Sequence, residues 1–196
     1  MKKVLLGVLA ISGASMAMAA DKPFTAEVLV GKTSQKVKNS VDSDDTSLAL
    51  RVAYQFVPSW SAELAYHDYG TASSRLIDED DKYTDTFTSS AINVGIKKSF
   101  EINDALTVNA RLGISLWDTE YTSEYDDKSL SDDTKLSDTS NDLYYSVGFE
   151  YLIKEDMFVS ANYSVSSMDG AFEVDGTKYK FENDTSTVAI GFGYQF

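Results

Sequence analysis

Val188-Ala-Ile-Gly-Phe-Gly-Tyr-Gln-Phe196 is the stretch whose reading decides the fold. Val188, Ile190, Phe192, Tyr194 and Phe196 share one parity, and Ala189, Gly191, Gly193 and Gln195 share the other. A period of two marks a strand with one large apolar face and one face of small or polar groups. A face this uniformly apolar must close against something. The expectation is the closing strand of a membrane β-barrel.

Working outward from that strand, the same alternation recurs. The apolar sets are Phe24, Ala26, Val28 and Val30; Leu48, Leu50, Val52, Tyr54 and Phe56; and Trp60, Ala62, Leu64 and Tyr66. They continue with Ile92, Val94 and Ile96; Leu106, Val108, Ala110, Leu112, Ile114 and Leu116; Tyr145, Val147, Phe149 and Tyr151; and Met157, Val159, Ala161, Tyr163 and Val165. Three connections are tight turns: Pro58-Ser59, Glu101 to Asp104, and Lys154-Glu155-Asp156. Four are long polar stretches: Lys32 to Thr46, Gly70 to Thr86, Asp118 to Asp142, and Asp169 to Thr185. The pattern predicts an all-β fold, an eight-stranded antiparallel up-and-down transmembrane β-barrel with long extracellular loops and short periplasmic turns. A soluble eight-stranded calyx of the lipocalin type is the alternative, and it requires the apolar face to point inward. The other parity is rich in Gly, Ser, Ala, Asn and Thr, which suits the narrow inside of a small barrel. Aromatics cluster near the short turns (Phe24, Phe56, Trp60, Phe100, Tyr151, Tyr194, Phe196) and near the far end (Tyr66, Tyr69, Phe87, Trp117, Tyr144, Tyr145), as two interfacial girdles would. Lys98 falls on the apolar parity beside the Glu101 turn, where it can snorkel to the headgroups.

Residues 1–20 have the form of a cleaved secretory signal peptide: Lys2 and Lys3, the apolar run Val4 to Ile11, and the small-residue site Ala17-Met18-Ala19. The barrel domain is then expected over 21–196. With no cysteine, disulfides and thiol chemistry are excluded. The mean hydropathy is −0.24, as alternation dilutes the apolar residues. A net charge of −14 argues against nucleic acid as a partner, since that needs a basic footprint.

The inward parity carries Glu27, Arg51, Glu63, Lys97, Arg111 and Glu150, three acids and three bases on six strands. An unpaired buried charge costs several kcal/mol, so these six are expected to pair across the lumen and plug it. A gate whose pairs exchange to pass small ions is the sharper alternative. His67 is the sole histidine; its neighbour Asp68 points to the opposite face and the next inward residue is Tyr69, so no catalytic set is expected. The polar stretches are acidic, through Asp42, Asp44 and Asp45; Asp78, Glu79, Asp80 and Asp81; Asp126, Asp127, Asp132 and Asp133; and Asp169, Glu173 and Asp175. They read first as a solvated surface. No EF-hand loop is present, and no metal or cofactor is expected. Tyr121, Tyr125 and Tyr179 add aromatic anchors for an adhesive surface.

With these alternating segments and the terminal Gly193-Tyr194-Gln195-Phe196, the chain resembles the small eight-stranded outer-membrane proteins, the transmembrane domain of OmpA and the OmpX/Ail group, over 21–196. The resemblance implies a Gram-negative outer-membrane location and a non-enzymatic, monomeric barrel of structural or envelope-integrity role. It implies a lumen closed by a charged network, a setting of outer-membrane lipids and lipopolysaccharide, and Tyr194 and Phe196 as the signal read by the barrel-assembly machinery. Surface adhesion through an extracellular ligand at the loops and a narrow ion-conducting pore are its alternatives. The peptidoglycan-binding domain of full-length OmpA is not part of the resemblance, so cell-wall tethering is not implied.

Overall fold

The computed structural model describes residues 22–38, 42–78, 81–125, 134–174 and 176–196. The expected signal peptide lies outside them. Eight strands follow one another: β1 (Phe24–Val37), β2 (Asp42–Val57), β3 (Trp60–Asp78), β4 (Asp81–Glu101), β5 (Leu106–Tyr125), β6 (Thr134–Lys154), β7 (Met157–Val174) and β8 (Thr177–Gln195). Each pairs antiparallel with its chain neighbours, and β8 pairs with β1, so the sheet closes. At the seam Phe24 N donates to Phe196 O at 3.0 Å and Phe196 N to Phe24 O at 2.9 Å.

The apolar parity faces outward. Val28, Leu50, Ile92, Leu112 and Val147 are exposed, and Ile190 is 67% exposed. The charged parity is inside, with Glu63 at 4% and Arg111 at 3%. This removes the soluble calyx, whose apolar face would line the cavity. The lumen is narrow enough that bulky side chains need hollows opposite them. A Cβ on Gly95 would come 2.6 Å from the Tyr144 hydroxyl, and one on Gly113 would meet the same ring at 2.6 Å, so Tyr144 lies in a trough that only glycines leave open. Lys98 is half-buried on the outer wall, its Nζ 5.0 Å from the Trp60 ring centroid and 5.8 Å from that of Phe100.

At the short-turn end Ser59 supplies the left-handed residue of the Pro58-Ser59 turn, with φ of 65°. Asn103 Oδ1 accepts from the Ala105 and Leu106 amides at 2.9 Å each, a side chain standing in for a backbone carbonyl. The opposite end differs from the sequence expectation. The four polar stretches are mostly strand, not long loop: β1 reaches Val37 and β2 resumes at Asp42, β3 reaches Asp78 before Asp81, β5 reaches Tyr125 and β7 Val174. A bilayer needs about 9–11 strand residues. Beyond it the solvent is water on the outside, so polar outward positions rich in Thr and Ser continue the ladder, and the apolar signal moves indoors.

In this extension the ladder divides. The β2–β3 register ends at Leu48↔Asp68 and the β6–β7 register at Tyr144↔Ser166, while β3–β4–β5–β6 and β7–β8–β1–β2 stay paired well beyond. Two four-stranded sheets therefore face one another above the membrane part. Between them lies a core of Tyr69, Phe87 and Trp117 from one sheet with Val37, Met168, Phe172 and Phe181 from the other. Trp117 meets Phe181 edge-on across the gap at 5.9 Å. The second aromatic girdle is thereby corrected. Tyr66 and Tyr145 face outward, but Tyr69, Phe87, Trp117 and Tyr144 are buried inside, because they occupy the inward parity.

Carboxylates tie the two sheets where the ladder stops. Asp45 Oδ2 accepts from Thr71 N at 2.7 Å across one seam. Across the other, Asp138 Oδ2 accepts from Ala171 N at 2.8 Å and Asp142 Oδ2 from Asp169 N at 3.2 Å; within its own sheet Asp142 Oδ2 also accepts from Trp117 Nε1 at 2.7 Å. Truncating Asp142 to alanine leaves the indole N–H and the β7 amide without this acceptor, a loss of about 1–3 kcal/mol. In vesicles, Asp142→Ala is expected to make the two-sheet extension several-fold more sensitive to limited proteolysis while the membrane part keeps its heat-dependent shift on SDS gels. Unchanged proteolysis would refute the tie.

Candidate functional site in the lumen

Around the lumen, every strand from β1 to β7 contributes a polar side chain to one layer, and β8 contributes Gly191. Arg51 Nη1 donates to Glu27 Oε2 at 2.7 Å. Arg111 is the hub: its Nε donates to Glu63 Oε2 at 2.9 Å, its Nη2 to Glu150 Oε1 at 3.1 Å, and its Nη1 to Asn162 Oδ1 at 2.9 Å and to Asn109 Oδ1. Lys97 Nζ reaches Glu150 Oε1 at 3.2 Å. Ser160 Oγ donates to Glu27 Oε1 and accepts from Asn162 Nδ2 at 2.9 Å, which joins the Glu27–Arg51 pair to the Arg111 cluster. A Cβ at position 191 would meet Ser160 Oγ at 2.5 Å and Glu27 Oε1 at 2.6 Å, so the glycine leaves the network room.

All six charged residues named from the sequence stand in this layer. Three neutral members, Asn109, Ser160 and Asn162, complete it; they stand on the inward parity but carry no charge, so the sequence holds no signal that marks them. Charges taken out of water repay their desolvation only when paired in good geometry and with their remaining hydrogen-bond capacity used. The neutral trio does the second job. Toward the short turns the layer borders a polar hollow of about 190 Å³, walled by Gln55, Ser61, Ser99 and Thr107 with Lys97 and Glu150. On its other side come Leu29, Ala49 and Ala189, then hydroxyl pairs such as Thr33–Thr187 at 2.6 Å, and then the aromatic core.

His67 is buried beside Tyr69, the ring centroids 4.9 Å apart and nearly perpendicular, and Asp68 is exposed on the outer face. No serine or carboxylate bonds to His67 Nδ1 among the described residues. Of the acidic residues outside, Asp44 pairs with Lys32 at 2.7 Å, which holds its carboxyl below the usual range. Glu182 raises Lys38 in the same way, through a 2.8 Å hydrogen bond. Asp169 shifts the other way, upward, through lost hydration first and then the charges of Asp142, Glu182 and Asp184. Among the described residues no cluster of acids or histidine could hold a metal ion. The acidic side chains at 78–81, 126–127, 132–133 and 175 lie outside the described set.

Over residues 14–196 the sequence matches the model of the OmpA-like transmembrane domain. The chain belongs to that family. Solved structures of the same architecture include OprG, an outer membrane protein of Pseudomonas aeruginosa, with a TM-score of 0.59 and 17% identity over 91% of this chain and 97% of that one. Neisserial surface protein A gives 0.57 at 12% identity, covering 88% and 97%. Ail, the attachment invasion locus protein of Yersinia pestis, in complex with the heparin analogue sucrose octasulfate, gives 0.54 at 16%, covering 89% and 99%. At these identities the likeness is one of fold. No curated protein matches the chain. As an OmpA-like transmembrane domain, the protein is a barrel of the outer membrane.

Removing one member of a buried pair costs about 3–5 kcal/mol, mostly through the charge left behind. Arg111→Ala strands Glu63 and is expected to lower unfolding stability in urea by about that amount, in phospholipid vesicles. Arg111→Met combined with Glu63→Leu is expected to recover most of it. A double variant as unstable as the single would mean that pairing is not what the layer contributes.

Proposed function

We propose that this barrel serves a structural, envelope-integrity role and that its lumen is closed. The carrying observation is the layer of Glu27, Arg51, Glu63, Lys97, Arg111 and Glu150, tied through one chain of hydrogen bonds across the lumen. The aromatic core stacked beyond it supports closure independently. One barrier is ionic and the other is apolar. Ion exchange within the first still leaves Trp117, Phe172 and Phe181 in the way.

In this reading residues 1–20 are removed on export, and the barrel stands as a monomer among outer-membrane lipids and lipopolysaccharide. The short turns face the periplasm and the two-sheet extension faces outward. Tyr194 and Phe196, exposed at the end of β8, are the residues offered to the assembly machinery. Phe196→Ala is then expected to reduce the heat-shifting band in outer-membrane fractions at least several-fold, and unchanged assembly would remove that role.

Planar-bilayer recording tests the closed lumen. The wild-type barrel is expected to be silent. Discrete conductance steps that disappear in Lys97→Ala would instead make the charged layer a gate, and the closure proposal would fall.

A further inference from the structure

The outer wall of the extension is chemically lopsided where it leaves the bilayer. On β3–β6 the last outward apolar residues include Tyr66 and Leu116, both well exposed. Directly above them Ser90, Asp118 and Thr139 are register neighbours on β4, β5 and β6, and Asn141 is the register partner of Leu116. These six surround an outward hollow of about 350 Å³. Its floor is continuous with the lipid-facing belt. Its rim offers hydroxyls, an amide and a carboxylate, and no cation lines it.

We propose that this hollow docks the junction between acyl chain and sugar headgroup of an outer-leaflet glycolipid. The inference rests on the outward orientation given above for the extension. A lipid lying against Leu116 has its headgroup at the height of Ser90, Asp118 and Thr139, because successive strand residues rise only about 3.3 Å. Those three groups sit on adjacent strands at about 4.8 Å spacing, a row of donors and acceptors about 10 Å long. Such a row matches the several hydroxyls of a sugar. A headgroup with a single ammonium can use only one of its members. Tyr66 adds a ring whose apolar face can cover sugar C–H groups while its hydroxyl stays wet. Asp118 turns phosphate away and accepts from hydroxyl, so the contact is with the sugar and not with its phosphates.

The matching height on the other sheet carries Thr46 and Ser186, but Lys32 stands between them as a register partner of both Thr46 and Val188, and it pairs with Asp44. The short-turn rim differs again, with Lys98 poised over Trp60 and Phe100, an arrangement suited to an anionic phosphate headgroup. The two rims thus suit the two unlike leaflets of one membrane.

Photo-crosslinking in intact outer membranes containing lipopolysaccharide tests the site on the full chain. A benzophenone side chain is placed at Ser90, Thr139, Thr46 or Ser186, with the heat shift on SDS gels confirming that each variant folds. Lipopolysaccharide adducts are expected several-fold more often from Ser90 and Thr139 than from Thr46 and Ser186, and Asn141→Ala or Tyr66→Ala should cut the Thr139 yield at least two-fold. Equal yields from the two sheets, or phospholipid as the main adduct at Ser90, overturn the proposal. A membrane-impermeant thiol reagent applied to cells carrying Ser137→Cys, the next outward position along β6 and outside the hollow, separates the causes. Labelling leaves the orientation standing and puts any failure on the site. No labelling overturns both, with the fault in the orientation.

Discussion

Everything in this protein follows from the need to satisfy backbone hydrogen bonds in hydrocarbon. Each unpaired N–H or C=O there costs several kcal/mol, so a sheet crossing the bilayer must have no edge. The β1–β8 ladder, running from Thr25↔Gln195 to Val37↔Asn183 and finished by the Phe24–Phe196 pair of hydrogen bonds, is where that condition is met. Closure with eight strands then sets the bore. An interior of this size has room for side chains and little else, which is why glycines lie opposite Tyr144 and beside the Glu27–Ser160 contact.

The small bore converts inward charge from a liability into a lock. Glu27 and Arg51 reach each other from adjacent strands, as do Arg111 and Glu150, whereas Arg111 reaches past β4 to Glu63 on β3 and Lys97 reaches past β5 to Glu150 on β6. Neutral amides and a hydroxyl use the remaining lone pairs and protons. The layer therefore ties strands together beyond the nearest-neighbour ladder, a constraint that the lipid-facing side chains cannot supply because lipid tails are as apolar as they are.

Above the membrane the same strands meet a different solvent, and their pattern inverts. Inside the bilayer the large apolar groups point out and the polar groups in; in the extension Phe87, Trp117, Phe172 and Phe181 point in, and Thr88, Asp118 and Thr139 point out. An apolar core becomes favourable once water is the alternative. With that core present, two packed sheets replace the continuous ring, and Asp45, Asp138 and Asp142 accept from backbone amides where the ladder no longer does.

The alternation of Leu106 to Leu116 or Val188 to Phe196 was enough, by itself, to determine the strands, their number and the inward set of six charges, because parity is a local property of a pleated chain. Lys98 was also legible, as an outward cation near a turn. The extent of the strands beyond the bilayer was not. In 118–124, 135–142, 169–173 and 176–185 the outward residues are mostly polar and the inward ones mixed, so parity carries little contrast and the segments read as loop. Nor could parity tell that Tyr69, Phe87, Trp117 and Tyr144 face a core and not a headgroup layer, since that depends on where the bilayer ends along the strand. The partners within the charged layer were decided by tertiary structure alone: strand tilt and register choose which carboxylate meets Arg111, and no sequence spacing encodes the distance across a closed barrel.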